Sequence, residues 1–239
     1  MLTLVTATER YMTHKLALQF PEAAVFGLDL SPIPELQEQP KNVRFLQGNV
    51  LNQPPTAWKP QASGLTLSQD EEVFDLVFGR FLIAGINDWP AYIQQQFRLL
   101  GPGGWAEMHE LDPLVYNAAE ETTTDTEDWH TVPEQAAGVS GPEYGSAKRA
   151  ASRMKDAGFV DISVQEYPLP LGGEGQETPE MQAAGEFFDR TFMDVREMIL
   201  KTYVKDEDIQ GKLIQDMKVA MAPGAGKHCK LIVTFGRKP

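Results

Sequence analysis

Residues Phe74–Asp112 read FDLVFGRFLIAGINDWPAYIQQQFRLLGPGGWAEMHELD, and the reading of this stretch decides the fold. "FDLVF" (Phe74–Phe78) is an apolar run of strand length. Asp88-Trp89-Pro90 then marks a helix start, with Asn87 or Asp88 as the cap and proline in the first turn, where its missing N–H is harmless. The helix continues through "AYIQQQFRLL" and is broken at Gly101–Gly104 ("GPGG"). Trp105–His109 is the next strand. Strand, helix and strand at this spacing predict two parallel neighbours joined by a helix that packs on the sheet.

The same rhythm extends in both directions. Upstream, Leu2–Val5, Ala24–Leu28 and Val43–Gln47 are short buried strands, with a helix over Arg10–Gln19. The stretch 53–70 holds Pro54, Pro55, Pro60, Ser63 and Gly64 and reads as an insertion loop. Downstream, the segment 112–142 is acidic and threonine-rich ("AAEETTTDTEDWHT") and is expected to be a loop or lid. A helix follows over Gly145–Ala157, then a strand at Asp161–Tyr167. Two amphipathic helices, Thr178–Leu200 and Asp206–Ala220, fill the lid region 178–221, and Lys230–Phe235 closes the chain. The expected fold is α/β: a doubly wound, mostly parallel, seven-stranded Rossmann-like sheet with helices on both faces, as a single domain over 1–239.

Composition narrows the function classes. With 239 residues, 42% of them hydrophobic, the chain can bury a full core. Its 34 acidic and 21 basic side chains give a net charge of −13, which repels phosphate backbones and anionic lipid. Neither nucleic acid nor a membrane is expected as a partner. The single cysteine, Cys229, allows no internal disulfide and fits a reducing compartment. No secretory leader is expected from a short apolar run that meets charge at Glu9 and Arg10, so a cytoplasmic location is expected. The four histidines lack paired spacing, and Cys229 adjoins only His228, so no metal site is expected. "GAGK" (Gly224–Lys227) lacks the remaining glycine and Ser/Thr of a phosphate loop and reads as a turn.

The stretch Phe74–Asp112 resembles the fungal LaeA-like class I methyltransferases. So do "FPEAAVFGLDLSPIP" (Phe20–Pro34), "AGFVDISVQEYPLPLG" (Ala157–Gly172) and the terminal "FGRKP". The resemblance implies S-adenosylmethionine at the carboxyl ends of the strands, where open α/β sheets bind ligands. It places the ribose-binding acid at Asp29 and the adenine-binding position at Asn49. The cofactor loop falls on Val5–Glu9, including Thr6, with Val5, Ala7 and Glu9 where the family has glycines. A β-branched Val5 at positive φ would cost roughly 1–3 kcal/mol, and Glu9 would face the carboxylate of the ligand. The expectation is therefore that no cofactor is required; the alternative is S-adenosylmethionine weakly bound by Asp29, Asn49, Thr6 and Arg80.

Polar groups remain at the ends of the fourth and fifth strands. His109, Arg80 and Glu110 are the catalytic candidates, because a histidine beside carboxylates can move protons near neutrality. The blander role for Arg80 is an ion pair with Glu110 or Asp112. Trp129 and His130 in the acidic segment, and Phe188, Phe192 and Met193 on the first lid helix, are the candidates for contact with an apolar small-molecule substrate. Three functions are weighed: a methyltransferase-fold enzyme of natural-product metabolism that catalyses cyclisation or isomerisation, a pericyclic step included; a small-molecule methyltransferase; and a regulatory binding module. A homo-oligomer or a regulatory protein is the partner expected besides the substrate. The resemblance adds the nucleus as a location.

Overall fold

In the computed structural model, the described residues are 2–6, 10–32, 39–60, 74–138, 143–173 and 178–239; of 2–6, 10 and 137 only the backbone is described. The strands are β1 (Leu2–Thr6), β2 (Ala24–Asp29), β3 (Val43–Gln47), β4 (Lys59–Pro60), β5 (Phe74–Arg80), β6 (Leu100–Tyr116), β7 (Val160–Pro170) and β8 (His228–Arg237). The helices are α1 (Arg10–Gln19), α2 (Trp89–Leu99), α3 (Asp128–Ala137), α4 (Ser146–Ala157), α5 (Pro179–Tyr203) and α6 (Glu207–Ala220). The sheet runs β4-β3-β2-β1-β5-β6-β8-β7. It has eight strands rather than the expected seven, because a two-residue β4 inside the proline-rich insertion pairs antiparallel with β3. β1 lies parallel between β2 and β5, and β3 and β6 extend the parallel run on either side.

The chain divides into two compact units: residues 1–110, 146–165 and 233–239, and residues 111–145 and 166–232. The first unit contains the parallel strands. One of its cores packs α2 and α4 against β2, β3 and β5, with Trp89, Tyr92, Ile93 and Leu99 of α2 meeting Phe26, Leu46, Phe74 and Val77. Those α2 positions recur at helical spacing, which gives the helix one apolar face. Asp88 caps α2 by accepting a hydrogen bond from Ala91 N at 2.9 Å, as the sequence implied. The other core contains Val25, Val43 and Phe78, with Ala17 of α1.

The "GPGG" segment departs from expectation. Instead of a turn before the strand, it forms the beginning of β6. Phe74 pairs with Leu100 and Leu76 with Trp105, so the glycines are the surplus residues of a bulge. Gly103 has φ +80°, and a Cβ on Gly104 would lie 2.9 Å from the Gly101 carbonyl oxygen. Glycine is required at both positions.

The second unit has its own apolar core, formed by Val115, Trp129, Phe192, Leu200, Leu213, Met217 and Cys229 among others. α5 begins with Thr178 accepting from Met181 N at 3.2 Å, and α6 with Asp206 accepting from Asp208 N and Ile209 N. The expected acidic loop is structured at both ends: β6 continues to Tyr116, and α3 begins at Asp128. The "GAGK" turn has a structural task, because Lys227 Nζ donates to the carbonyls of Ala220 and Ala222 at the end of α6. Among the described residues, no helix is long and apolar enough to cross a membrane.

Candidate active site

The carboxyl ends of β1, β2, β3 and β5 form one edge of the first unit. Strand order reverses at β1, with β2 and β3 on one side and β5 and β6 on the other. Loops diverge at such a reversal and leave a crevice for a ligand. Thr6 pairs with Leu28 and Gly79, and Asp29 lies opposite Gln47. Thr6, Asp29 and Arg80 therefore end three adjacent strands at that edge.

Asp29 is half-buried, and its Oδ1 accepts Ser31 N at 2.7 Å. Its backbone oxygen accepts Gly48 N at 2.9 Å, which ties down the turn after β3. One carboxylate oxygen is thus taken by a local turn, and the other retains acceptor capacity for hydroxyl donors. Asn49 follows that turn. Its Oδ1 accepts Leu51 N at 2.8 Å, and its own N–H donates to Gln53 Oε1 at 2.8 Å. The amide keeps its NH2 donors and a second lone pair, which suits the mixed donor and acceptor edge of a purine.

The backbone strain expected at Val5 does not occur. Val5 is within β1, paired with Gly27 and Phe78, and β1 continues to Thr6. Extended backbone favours a β-branched residue, so the strain expected of positive φ is absent there. Ala7, Thr8 and Glu9 lie outside the described residues.

The catalytic candidates divide between the two faces of the sheet. Arg80 pairs in register with His109, and parallel register partners share a face. His109 Nε2 lies 2.5 Å from Glu107 Oε1, and its ring meets the edge of Phe78 at 4.8 Å. Glu110 alternates to the opposite face, where it is 1% exposed. Its two oxygens lie 2.9 and 3.1 Å from Leu82 N. Burial pushes its pKa from 4.5 to about 8, opposed by the backbone N–H groups of Leu82 and Ile83. Glu110 holds backbone amides, and Asp112 accepts the Tyr116 hydroxyl. Between β5 and Leu82, Phe81 adopts φ 53°, its N–H donates to His109 O at 3.0 Å, and the Arg80 guanidinium covers its ring at 4.4 Å.

The substrate candidates Trp129, His130, Phe188, Phe192 and Met193 all lie in the second unit. Trp129 and His130 are not on an exposed loop but on α3, at 1% and 7% exposure. Trp129 belongs to the core of this unit, as does Phe192, and Met193 packs against it. Phe188 is half-buried and meets Phe187 edge to face at 5.6 Å. His130 Nδ1 lies 3.1 Å from Arg196 Nη1, a fully buried guanidinium that also donates to Pro113 O and lies over the rings of Trp129 and Tyr144. Burial draws the Arg196 pKa down. The sequence analysis missed Arg196, although its position was a signal. It lies four residues after Phe192 and three before Ile199, on the buried face of α5. Among the described residues, no cluster of three or more His, Cys, Asp or Glu could hold a metal ion.

A run of parallel strands with helices packed on it and a reversal of strand order at β1 defines the doubly wound, Rossmann-like α/β class. The chain belongs to the methyltransferase-domain family, whose model matches residues 6–164. Its relatives include the LaeA-like proteins of fungi. It is 26% identical over 174 residues to methyltransferase pytC of Aspergillus terreus, covering 71% of this chain and 48% of pytC. It is 29% identical over 173 residues to protein-methionine methyltransferase laeA of Emericella nidulans, covering 71% and 42% respectively. The chain thus spans about half the length of the curated relatives it matches. In structure it is similar to phosphoethanolamine N-methyltransferase 2 of Haemonchus contortus, solved with S-adenosylhomocysteine (TM-score 0.55, 17% identity, 100% of this chain and 48% of that one). It is also similar to the YcgJ protein of Bacillus subtilis (TM-score 0.53, 17% identity, 99% and 91%). These findings overturn the expectation that no cofactor is required. The family is a methyltransferase family, and the Haemonchus enzyme was solved both with S-adenosylmethionine and with its demethylated product.

Proposed function

We propose that the chain is an S-adenosylmethionine-dependent methyltransferase of fungal secondary metabolism, acting on an apolar small molecule. The observation that carries this reading is the Asp29 carboxylate at the end of β2, next to the strand-order reversal. The donor set fits the cofactor: a carboxylate with a spare oxygen suits a vicinal diol, the Asn49 amide suits a purine edge, and Thr6 ends β1, the strand beside Asp29. When bound, S-adenosylmethionine supplies an electrophilic methyl group on a sulfonium.

The residues of this chain supply orientation and proton transfer. With Glu107 accepting from Nε2–H, His109 keeps Nδ1 as a base for an acceptor hydroxyl. Arg80, across from it on β5, adds a fixed positive charge for an anionic acceptor group. Within the second unit, Phe188 and Met193, both half-buried, remain the candidates for contact with an apolar molecule. Residues 1–239 are taken as a single methyltransferase-like domain in which 111–145 and 166–232 form the elaboration, working in the cytoplasm or nucleus.

The cyclisation or isomerisation reading rests on exclusion of the cofactor at Val5, Ala7 and Glu9. The extended register of β1 takes away the backbone strain at Val5, and Ala7 and Glu9 lie outside the described residues. The test is calorimetric titration with S-adenosylhomocysteine. Wild type is expected to saturate in the micromolar range. Asp29→Ala should weaken binding about ten- to hundredfold, the value of charge-assisted hydrogen bonds. Equal affinity of wild type and Asp29→Ala would overturn the assignment.

A further inference from the structure

The turn that leaves β5 is held from below by a group that never reaches the crevice. It begins at the carboxyl end of β5, beside β1, at the point of strand reversal. Phe81 adopts φ 53° there, a conformation in which a bulky side chain is a strained outlier that persists only when its surroundings impose it. Two restraints flank it. On one side its own N–H is tied to His109 O at 3.0 Å. On the other, Leu82 N is tied to the carboxyl of Glu110 at 2.9 and 3.1 Å. Leu82 and Ile86 then pack into the α2 face of the core, so the turn cannot swing away without exposing them.

A buried carboxyl among apolar side chains is costly, and a chain that needed only packing here would carry an apolar residue. The burial that raises the Glu110 pKa is consistent with that cost. Resting on the methyltransferase reading, we propose that Glu110 is a positioning residue. Its carboxyl fixes the Phe81–Leu82 turn so that Phe81 and the Arg80 guanidinium stacked on it form a preset wall of the cofactor crevice. Glu110 touches neither cofactor nor substrate, and it acts through the backbone of the turn. Without it, two backbone N–H groups lose their acceptor, Phe81 relaxes from positive φ, and the wall must be rebuilt each time the cofactor binds.

Glu110→Gln and Glu110→Leu separate this role from simple packing. Both are neutral and close in size to glutamate, but only glutamine can accept from Leu82 N. Each variant and the wild type are titrated with S-adenosylhomocysteine. Hydrogen exchange of the peptide covering residues 81–86 is followed without ligand, and thermal melting confirms folding. Glu110→Gln should bind within about threefold of wild type and keep the Leu82 amide protected. Glu110→Leu should bind at least tenfold more weakly and lose that protection while still melting cooperatively. A folded Glu110→Leu with wild-type affinity and protection would overturn the proposal. So would a Glu110→Gln that loses both, a result that stays decisive if the leucine variant does not fold. If the wild type itself ignores S-adenosylhomocysteine, the methyltransferase reading fails, and amide protection alone then decides whether Glu110 holds the turn.

Discussion

At the residue scale, the most consequential side chains are those whose environment opposes their ordinary chemistry. Glu110 ionises near pH 4.5 in an unfolded chain but at about 8 when folded, because burial disfavours the charge. Between those values the folded state holds one proton more than the unfolded state, so stability falls as pH rises through the window and levels off above it. The Glu110→Gln variant has no such proton. Its stability relative to wild type should therefore rise between pH 4.5 and 8, at a limit of about 1.4 kcal/mol per unit. Denaturant melts of both proteins at pH 4.5, 6 and 8 check this; parallel pH profiles would contradict it. Arg196 presents the opposite case, a buried cation surrounded by His130, Trp129 and Tyr144. Neither group was legible as such in the sequence. Glu110 was visible as a polar residue at a strand end, but alternation along β6 places it away from His109, and only the path of the Leu82 turn shows what it binds.

At the element scale, the strands and helices of the first unit were the most legible part of the chain. α1 and β3 match their expected bounds, because each has sharp punctuation, Phe20-Pro21 after the helix and Pro40 before the strand. α2 matches because Asp88 and Pro90 specify its first turn. Asp88→Ala should cost about 1 kcal/mol in a urea melt, the usual value of a lost N-cap, and should leave S-adenosylhomocysteine affinity unchanged. No change in the melting midpoint would show that the cap contributes nothing. β6 was the main misreading. Its 17 residues include a glycine bulge and a proline that read locally as turn signals, and only pairing with β5 makes them strand. The acidic segment was misread for a related reason: the charges mask α3, whose buried side chains Trp129 and His130 are only two residues among many polar ones.

At the scale of the whole molecule, the central claim concerns what the carboxyl edge of the sheet can hold. The family is shown by the match over residues 6–164, and the sheet order places Thr6, Asp29 and Arg80 on neighbouring strands. The expected exclusion of a cofactor rests on the glycine-poor run Val5–Glu9, whose first residue the sequence places both at the end of β1 and at the start of the cofactor loop. Two of those five residues are strand. β1 continues one residue beyond Val5, so the positive φ expected there is absent. That boundary depends on pairing with β2 and β5, which local sequence does not carry. The direct measurement is a crystal structure of the protein soaked with S-adenosylhomocysteine at saturating concentration. The account predicts the ribose hydroxyls on the Asp29 carboxylate and the purine edge at Asn49. A nucleoside bound elsewhere, or no density at this edge, would contradict it.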